Sequence, residues 1–466
     1  MIILPANTLS TGGFEVANSC RFDDGDSPSM SKTPGASSNR RTFTFSAWVK
    51  RSTLGSGVNV IFSASNSANR DFIYFEGDAL KVHKYNSGYE YKITTNRLFR
   101  DVSAWYHIVA AFDTTQGTAS NRIKLYVNGV QETSLADSDY PSEDFDTNYN
   151  TVSLPQTIGK DHDASNYFDG YIAEVVMIDG SALAPTSFGE FNSDSPTIWQ
   201  PIDVSGLTFG TNGYYLDFED SSNLGNDANG GTDFTEANLA ATDQATDTCT
   251  NNFAVMNSID NYYGAKTFSE GNLQQADPSG DSFASHTTIG VSSGKWYAEA
   301  KLTAQGSDQT FIGVSSNQST ATGFHLGKGA TSYGLYSGNG KIYNNNDSGT
   351  TYGDAYTTND IISIFLDLDN NKLYFAKNGS LMNSGTGHSI TAASSTDLGF
   401  YFFSGMQWDN SQGCTWQFNF GSPIFSISSG NTDGEYGNFE YSTTITGDGA
   451  SKTFKALNTK NLAEYG

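Results

Sequence analysis

The chain has 466 residues, too many for one hydrophobic core, so two or three domains are expected. Lys and Arg total 25 against 50 Asp and Glu, and the net charge of −25 argues against nucleic acid as a partner because a phosphate backbone would be repelled. Cys20, Cys249 and Cys414 lie far apart without metal-ligand spacing, so neither a disulfide framework nor a zinc site is expected.

The apolar stretches of the sequence are short. The N-terminal segment MIILPANTLS has no basic region before its apolar start, so a signal peptide is not expected. The longest apolar stretch, around DIISIFLDL, is far too short to cross a bilayer, so membrane insertion is not expected either.

Apolar and polar residues alternate through both halves of the chain, and no long helical period is found. This alternation is typical of half-buried antiparallel sheets, because successive strand side chains point to opposite faces. The residues predicted to face a core in the first half are Phe43, Phe45, Ala47, Val49, Tyr106, Ile108, Ala110, Phe112, Ile123, Leu125, Val127, Ile172 and Val176. Those in the second half are Trp296, Ala298, Ala300, Leu302, Ile362, Ile364, Leu366, Leu368, Trp416, Phe418 and Phe420.

A similar phrase occurs in both halves. NRIKLYVNGVQET (121–133) and LDLDNNKLYFAKNGS (366–380) each place a Lys-Leu-Tyr strand before Asn-Gly. Asn tolerates positive φ and Gly adopts it freely, which two-residue hairpin turns need. The sequence therefore predicts the same type of hairpin in both halves of the chain, with a further turn at Asn370-Asn371.

The composition shifts to Gly, Asn, Asp and Thr between about 196 and 262, a stretch poor in long apolar runs. We expect a domain over 1–195, a connector over 196–262, a second domain over 263–425 and a C-terminal tail over 426–466. The apolar residues Phe454, Leu457 and Leu462 would dock the tail on a domain or a partner.

The first half resembles laminin-G/pentraxin-type domains. FTFSAWVK, WYHIVAAFD, IKLYVNGV and TIGKDHDASNYFDGYIAEVVMIDGSALAP follow one another in the order of that family, over roughly residues 15–195. The resemblance implies a jelly-roll sandwich of the concanavalin A-like class.

The second half resembles a SPRY domain over roughly residues 263–422, which is also a concanavalin A-like sandwich. The segments that carry the resemblance are SSGKWYAEAKL, FIGVSS, YGLYSGNGKIYNNN, DIISIFLDLDNNKLYFAKNGS, LGFYFF and CTWQFNFG. The expected fold class is therefore all-β, with two concanavalin A-like antiparallel β-sandwich (jelly-roll) domains in tandem.

The stretch GYYLDFEDSSNLGNDANGGTDFTEANLAATDQATDTCTNNF and the closing FKALNTKNL resemble virion structural proteins of tailed bacteriophages, particularly marine ones. This resemblance implies a location on the virion, at the tail or capsid surface. It also implies a homotrimer, as is common for phage fibres, with host glycan or other virion subunits as partners.

The pentraxin resemblance implies a calcium site in GKDHDASNYFDG. Asp161 and Asp163 fall where that family places carboxylate ligands, with the His162 carbonyl between them, and calcium favours such hard oxygens. Asn69 stands where the family's second ligand cluster has an acid. The alternative is a solvated acidic loop.

Exposed aromatic rings on end loops are the means by which β-sandwich lectins stack sugars, because a flat ring meets the apolar C–H face of a sugar. The predicted ligand-binding residues are Tyr85 and Tyr89 in the first domain and Tyr336, Tyr343 and Trp408 in the second. Further candidates are Tyr91, Tyr140 and Tyr333, and packing in a core or on a sheet face remains the alternative for each ring.

The carboxylates of the sequence do not form the paired pattern of laminarinase-type glycan hydrolases, and no Gly-x-Ser-x-Gly elbow occurs. An enzyme is therefore not expected. The favoured function is a phage virion adhesin, such as a tail fibre, whose sandwiches bind glycans or proteins in host-surface recognition. The alternatives are a purely structural head decoration or head-fibre protein and, less favoured, a glycan-cleaving enzyme.

Overall fold

The computed structural model describes residues 13–67, 69–162, 166–260, 266–277, 284–306, 309–317, 325–345, 348–408, 412–429 and 434–466. The chain divides into two compact units, one that ends at Thr250 and one that continues from Asn251 to Gly466. Among the described residues, no helix is both apolar enough and long enough to span a membrane.

The first unit is built from antiparallel strands. Their bounds are β1 Ser19–Phe22, β2 Ser29–Lys32, β3 Thr42–Arg51, β4 Asn59–Asn66, β5 Asn69–Glu76, β6 Ala79–Asn86, β7 Tyr89–Leu98, β8 Trp105–Asp113, β9 Ile123–Val127, β10 Val130–Gln131, β11 Leu135–Asp139, β12 Gln156–Ile158, β13 Gly170–Asp179, β14 Gly189–Phe191, β15 Trp199–Pro201, β16 Tyr214–Leu216, β17 Thr235–Ala237 and β18 Gln244–Ala245. Short 3₁₀ helices span Asp24–Asp26, Ala119–Asn121, Pro185–Ser187 and Ala241–Asp243.

Sheet A has the strand order β10-β9-β8-β3-β13-β1-β18, with β16 beside β13, and sheet B has the order β11-β7-β6-β5-β4-β12-β2-β17. Their inner faces enclose one hydrophobic core. With the exception of Val176, every first-half residue predicted to face a core lies in this cluster, which confirms those assignments.

Val176 was predicted inward but packs on the outer face of sheet A. A β-bulge between Ala173 and Val176 shifts the register of β13 against β3, and Glu174 within it has a φ of 51°. An extra residue reverses the alternation, so Val175 takes the inward place and Val176 points out.

The stretch that the sequence indicates as a connector, 196–262, contributes strands to the first unit. β16 pairs with β13, β17 pairs with β2 and β18 pairs with β1. The structure thus extends the first unit to Thr250. This stretch lacks long apolar runs, but its Tyr214, Leu216 and Phe218 lie in the core, and the neighbouring strands supply the hydrogen bonds.

The second unit is also antiparallel apart from one short strand. Its strands are β19 Thr267–Ser269, β20 Gln274–Asp277, β21 Ser285–His286, β22 Lys295–Gln305, β23 Thr310–Ser315, β24 Ser332–Tyr336, β25 Lys341–Tyr343, β26 Thr350–Thr351, β27 Ile361–Asp367, β28 Lys372–Lys377, β29 Ser380–Leu381, β30 His388–Ser389, β31 Phe402–Gln407, β32 Cys414–Asn419, β33 Thr444–Gly447, β34 Ala450–Thr453 and β35 Lys455–Ala456. Helices span Met382–Gly385 and Ala393–Ser395 (both 3₁₀) and Thr459–Tyr465 (α1).

Sheet C has the order β19-β20-β32-β22-β27-β28-β29, with β30 beside β28 and β35 parallel to β22, and sheet D has the order β21-β31-β23-β24-β25-β26. Every second-half residue predicted to face a core lies in the hydrophobic cluster of this unit. The predicted all-β fold class is confirmed in both halves.

The two Asn-Gly hairpins form as predicted. Asn128 and Gly129 have φ values of 48° and 77° between β9 and β10, and Asn378 and Gly379 have values of 48° and 79° between β28 and β29. Positive φ at both central residues is the signature of a type I′ turn, whose twist matches that of the flanking strands. Asn370-Asn371 instead lies in a longer loop, since Asp367 pairs with Lys372.

Candidate functional site

The outer face of sheet A is covered by the C-terminal part of the first unit. Trp199 of β15 packs over Trp48 and Trp105, and its indole N–H donates to Nδ1 of His107 over 2.9 Å. Burial lowers the pKa of His107 to about 3, so the ring is neutral and its Nε2–H donates to Ser46 Oγ over 2.8 Å. These contacts make this face an interior layer of the unit.

The outer face of sheet B carries a set of aromatic rings, here called the first aromatic patch: Phe72, Tyr74, Tyr85 and Tyr89. Strand alternation brings Phe72 and Tyr74 of β5 to one face, where they pack with Val58, Val60 and Tyr85. Their rings stack with centroids 4.2 Å apart and planes 20° apart. Tyr89 meets Tyr85 edge-on at 5.4 Å and is 56% exposed.

A β-bulge selects which tyrosine of β7 reaches this patch. The register shifts so that Tyr89 pairs with Tyr85 while Tyr91 pairs with Lys84. Glu90 is the extra residue, and Tyr91 therefore points into the core, where its hydroxyl donates to Asp71. Tyr91 is thus not a surface ligand-binding candidate, and Tyr140 also packs against the core.

The first aromatic patch rests on a neutral histidine and is bordered by paired charges. His83 is hydrogen-bonded to the Tyr74 hydroxyl at 2.8 Å and to the Thr94 hydroxyl at 2.9 Å, and burial lowers its pKa to about 3. The Arg70 guanidinium lies 5.7 Å from the Tyr85 ring centroid and pairs with Asp161 at 3.2 Å. These contacts hold the rings without leaving the Arg70 charge uncompensated.

The predicted calcium ligands lie beside this patch. The Asp161 carboxylate is buried and accepts hydrogen bonds from Arg70 and from Asn166. Asn69 Oδ1 accepts from Lys84 Nζ at 2.9 Å. Arg70 and Lys84 thus lie where a calcium site needs further oxygen ligands, so the oxygens of Asp161 and Asn69 are not arranged to bind that ion. Asp163 lies outside the described residues, so its part in the prediction stays a prediction.

In the second unit, the outer face of sheet C is covered by the tail. Phe439, Phe454 and Ala456 pack on Tyr297, Phe365 and Tyr374, forming a separate hydrophobic cluster. Glu299 lies beneath this cover and accepts hydrogen bonds from Tyr297, Asn419 and the backbone of Glu440 and Tyr441. Burial raises its pKa. A carboxyl enclosed in this way is structural.

The outer face of sheet D carries the second aromatic patch: Phe311, Tyr336, Tyr343 and Trp408. Phe311 of β23 lies at its centre, 4.8 Å from Tyr336, 5.4 Å from Tyr343 and 6.0 Å from Trp408 between ring centroids. His325 stacks on Trp408 at 4.1 Å with planes 14° apart. The structure therefore brings together all three residues predicted in this domain.

Exposure divides the second aromatic patch into two layers. Tyr336 and Trp408 are partly exposed, whereas Tyr343 is only 8% exposed and braces its neighbours edge-on. Tyr333, a further candidate, is buried on the inner face of sheet D. The rings lie on or directly after strands rather than on end loops, since alternate residues of a strand share a face.

Sequence analysis missed Phe72, Tyr74 and Phe311, which complete the two patches. Phe72 and Tyr74 alternate with the core residues Ile73 and Phe75 in NRDFIYFE, so a purely apolar run conceals that half of it faces outward. Assigning alternate residues of β5 and β6 to the two sheet faces would have found them, because Phe72 and Tyr74 then share the face of Tyr85. Chemically, each patch offers flat rings to an apolar ligand surface.

Comparisons with known proteins agree with this architecture. Residues 24–186 match the family model described as the concanavalin A-like lectin/glucanases superfamily, and residues 295–423 match that of the SPRY domain. Both predicted domain types are thereby confirmed. Among curated proteins, no sequence matches the chain.

Several solved structures are similar to parts of the chain. The SPRY domain of human HERC1 is 19% identical, covering 31% of this chain and 87% of its own, with a TM-score of 0.26. Domain 4 of AbnA, a GH43 extracellular arabinanase from Geobacillus stearothermophilus in complex with arabinotriose, is 19% identical over 34% and 68%, with a TM-score of 0.27. The SAP-like pentraxin of Limulus polyphemus is 15% identical over 37% and 80%, with a TM-score of 0.27.

Proposed function

We propose that this chain, with its concanavalin A-like domain followed by a SPRY domain, binds carbohydrate through the two aromatic patches. The observation that carries the proposal is common to both units. In each unit, the outer face of one sheet, A or C, is covered by the unit's own C-terminal residues. The outer face of the other sheet, B or D, presents partly exposed rings, among them Tyr89 and Trp408. Such rings stack on the C–H faces of sugars.

The charges around the first aromatic patch favour an uncharged sugar. Lys81 pairs with Glu76, Lys92 pairs with Asp137 at 2.8 Å, and Arg70 pairs with Asp161. Each cation near the rings already has a carboxylate partner, so a sulfate or uronate would gain little by binding there. Neutral hexose or pentose residues are the ligand class that this surface fits.

A glycan array with the full chain tests the proposal. Tyr89→Ala and Trp408→Ala are expected to reduce the retained glycan signal, because each removes a partly exposed ring from one patch. Tyr436→Ala is the matched control, since Tyr436 is 54% exposed and lies outside both patches. No binding by the parent chain would reject carbohydrate binding, and equal signals for all three variants would reject the aromatic patches as its site.

A more specific proposal is that the chain is part of a phage particle, at its tail or capsid surface, and recognises a host surface from there. It is supported by the sequence resemblance of 213–253 and of FKALNTKNL to tailed-phage virion proteins. Immunogold labelling of purified particles tests the location, and binding of the chain to host cells tests the role. Labelled particles without cell binding would favour the purely structural alternative, in which the patches grip other virion subunits.

The proposal includes a non-enzymatic role and a homotrimer. A glycan hydrolase needs two carboxyl groups about 5–10 Å apart across the scissile bond. Glu76 and Asp137 near the first aromatic patch are instead each held by a lysine. Incubating a bound glycan with the chain should release no new reducing ends, and light scattering should give three times the mass of one chain.

A further inference from the structure

Three aspartates of the first unit meet at the junction of β1 and β13. These strands are antiparallel with Phe22 opposite Gly170, so the next position brings Asp23 beside Asp169. Asp24 begins the 3₁₀ turn that follows β1. One carboxylate oxygen from each of Asp23, Asp24 and Asp169 lies within 4.8 Å of the other two.

Asp169 provides an independent reason to look for a ligand here. The residue is 3% exposed, Thr53 donates its hydroxyl hydrogen bond to Oδ2, and Oδ1 is buried with no hydrogen-bond partner in the described part of the chain. An ionised oxygen enclosed without a donor or a cation is costly.

The positive charge of Arg51, which acts on Asp169, is partly engaged by other groups. Arg51 acts on Asp169 electrostatically, but its Nη1 donates to Asp78 Oδ1 at 3.2 Å and to the Phe99 carbonyl at 2.6 Å. Asp23 Oδ1 accepts from the Gly25 backbone N–H at 3.2 Å. The guanidinium that acts on Asp169 is therefore partly committed elsewhere, and a further positive charge would lower the energy of the Asp169 carboxylate.

We propose that Asp23, Asp24 and Asp169 together bind one calcium ion. Calcium–oxygen bonds measure about 2.3–2.6 Å, so oxygens on opposite sides of one ion lie about 5 Å apart, and the observed spacing fits within that limit. Asp24 is exposed, which leaves a side open for the water molecules that complete a shell of six to eight oxygens. Magnesium fits less well because it requires a smaller, near-ideal octahedron.

The ion would join the turn after β1 to the residue directly before β13 and, through Thr53, to the segment after β3. This site is distinct from the Asp161 loop, whose carboxylate is paired with Arg70. Calcium at the β1–β13 junction would fix two neighbouring strands of sheet A, so its binding would couple to the stability of the first unit.

Calorimetric titration of the chelator-treated full chain with calcium chloride tests the site. The parent chain is expected to bind calcium, and both Asp169→Asn and Asp24→Asn should weaken that binding about tenfold or more, because each removes a charged ligand. Asp169→Asn keeps the shape of the side chain. Asp24→Asn changes an exposed residue, so loss of binding there cannot be ascribed to misfolding.

Asp203→Asn is the matched control. Asp203 is exposed, and its carboxylate, like that of Asp23, accepts a hydrogen bond from the backbone N–H two residues later in the chain, here that of Ser205. It should bind calcium like the parent chain. Asp161→Asn, which changes the loop indicated by the pentraxin resemblance, should do so as well. The proposal is overturned if the parent chain binds no calcium, if both junction variants retain it, or if only Asp161→Asn loses it.

Discussion

Lys50 and Asp247 form an ion pair inside the first unit, with Nζ and Oδ2 2.7 Å apart and each side chain 1% exposed. The Trp105 indole N–H donates to the other oxygen of Asp247 at 3.1 Å. The pair joins β3 to a residue 197 positions later. Asp247 lies within the segment 196–262, whose composition suggests a connector, and its pair with Lys50 is one reason that this segment belongs to the fold.

Removal of Asp247 should destabilise the first unit strongly. Asp247→Ala leaves the Lys50 ammonium buried without its carboxylate, which typically costs about 3–5 kcal/mol in the free energy of unfolding. The double substitution Lys50→Met with Asp247→Leu should recover most of that loss, because an apolar pair of similar volume avoids the desolvation cost. Urea unfolding measures both, and equal stability of the single variant and the parent chain would contradict the prediction.

A fragment of residues 13–250 should fold cooperatively, whereas 13–195 should not. The shorter fragment loses β15, β16, β17, β18 and Asp247, and with them the cover over Trp48 and Trp105. Circular dichroism during heating distinguishes a sharp transition from a gradual one. Two equally sharp transitions would mean that residues 196–250 are dispensable for the fold.

The stability of the first unit should fall as pH rises from about 5 to about 8, in part because of Glu174. Burial raises the pKa of Glu174 from 4.5 to about 8, while Tyr215 donates to its carboxyl at 2.7 Å. A group with a raised folded pKa binds its proton more tightly in the folded state, so its stabilisation is complete below pH 4.5 and is lost through pH 8.

Glu174→Gln should flatten this dependence, since the amide keeps the hydrogen-bond acceptor for Tyr215 and cannot ionise. Its melting temperature should exceed that of the parent chain at pH 8 and approach it at pH 5. Parallel melting-temperature curves for the two proteins across this range would contradict the assignment.

In the second aromatic patch, substitution of Tyr343 should mainly lower the free energy of unfolding, whereas substitution of Trp408 should mainly lower glycan binding. Tyr343 is 8% exposed, so Tyr343→Ala leaves a cavity and should cost about 2–4 kcal/mol in the free energy of unfolding. Trp408 is partly exposed, so Trp408→Ala should change stability by less but reduce glycan retention. Chemical denaturation measures stability and the glycan array measures binding. A larger loss of stability in Trp408→Ala than in Tyr343→Ala would contradict the prediction.

Gly129 should tolerate no side chain. Its φ is 77°, and a Cβ atom there would lie 2.3 Å from the Trp199 ring, so Gly129→Ala adds a clash to the backbone strain. Gly230→Ala is the matched control, with a φ of 79° and nothing within 4 Å of the added atom. The control should cost about 1–2 kcal/mol and Gly129→Ala clearly more. Thermal unfolding compares them, and equal losses would mean that Trp199 moves aside freely.

Local alternation predicted the strands and the inward faces well. Phe43 and Phe45 in the first unit, and Ile362 and Ile364 in the second, lie in the cores as expected. The Asn-Gly turns followed from the backbone freedom of two adjacent residues. Both features depend on interactions within a few residues of chain, which is why composition and spacing suffice to locate them.

The errors came from β-bulges and from distant pairings. One extra residue at Glu90 sends Tyr91 inward while Tyr89 stays at the surface, and another at Glu174 turns Val176 outward. A bulge depends on the partner strand, which the local sequence does not contain. The position of Asp23 beside Asp169 likewise requires the register of β1 with β13.

The sequence by itself determined that this protein is all-β, that two sandwich domains follow one another, and which strand residues form most of each core. Only the tertiary structure decided which sheet faces are covered, because that depends on where segments such as 196–250 and the tail pack after the sheets have formed. Alternation assigns a residue to a face, whereas the long-range contacts of the folded chain decide whether that face meets solvent.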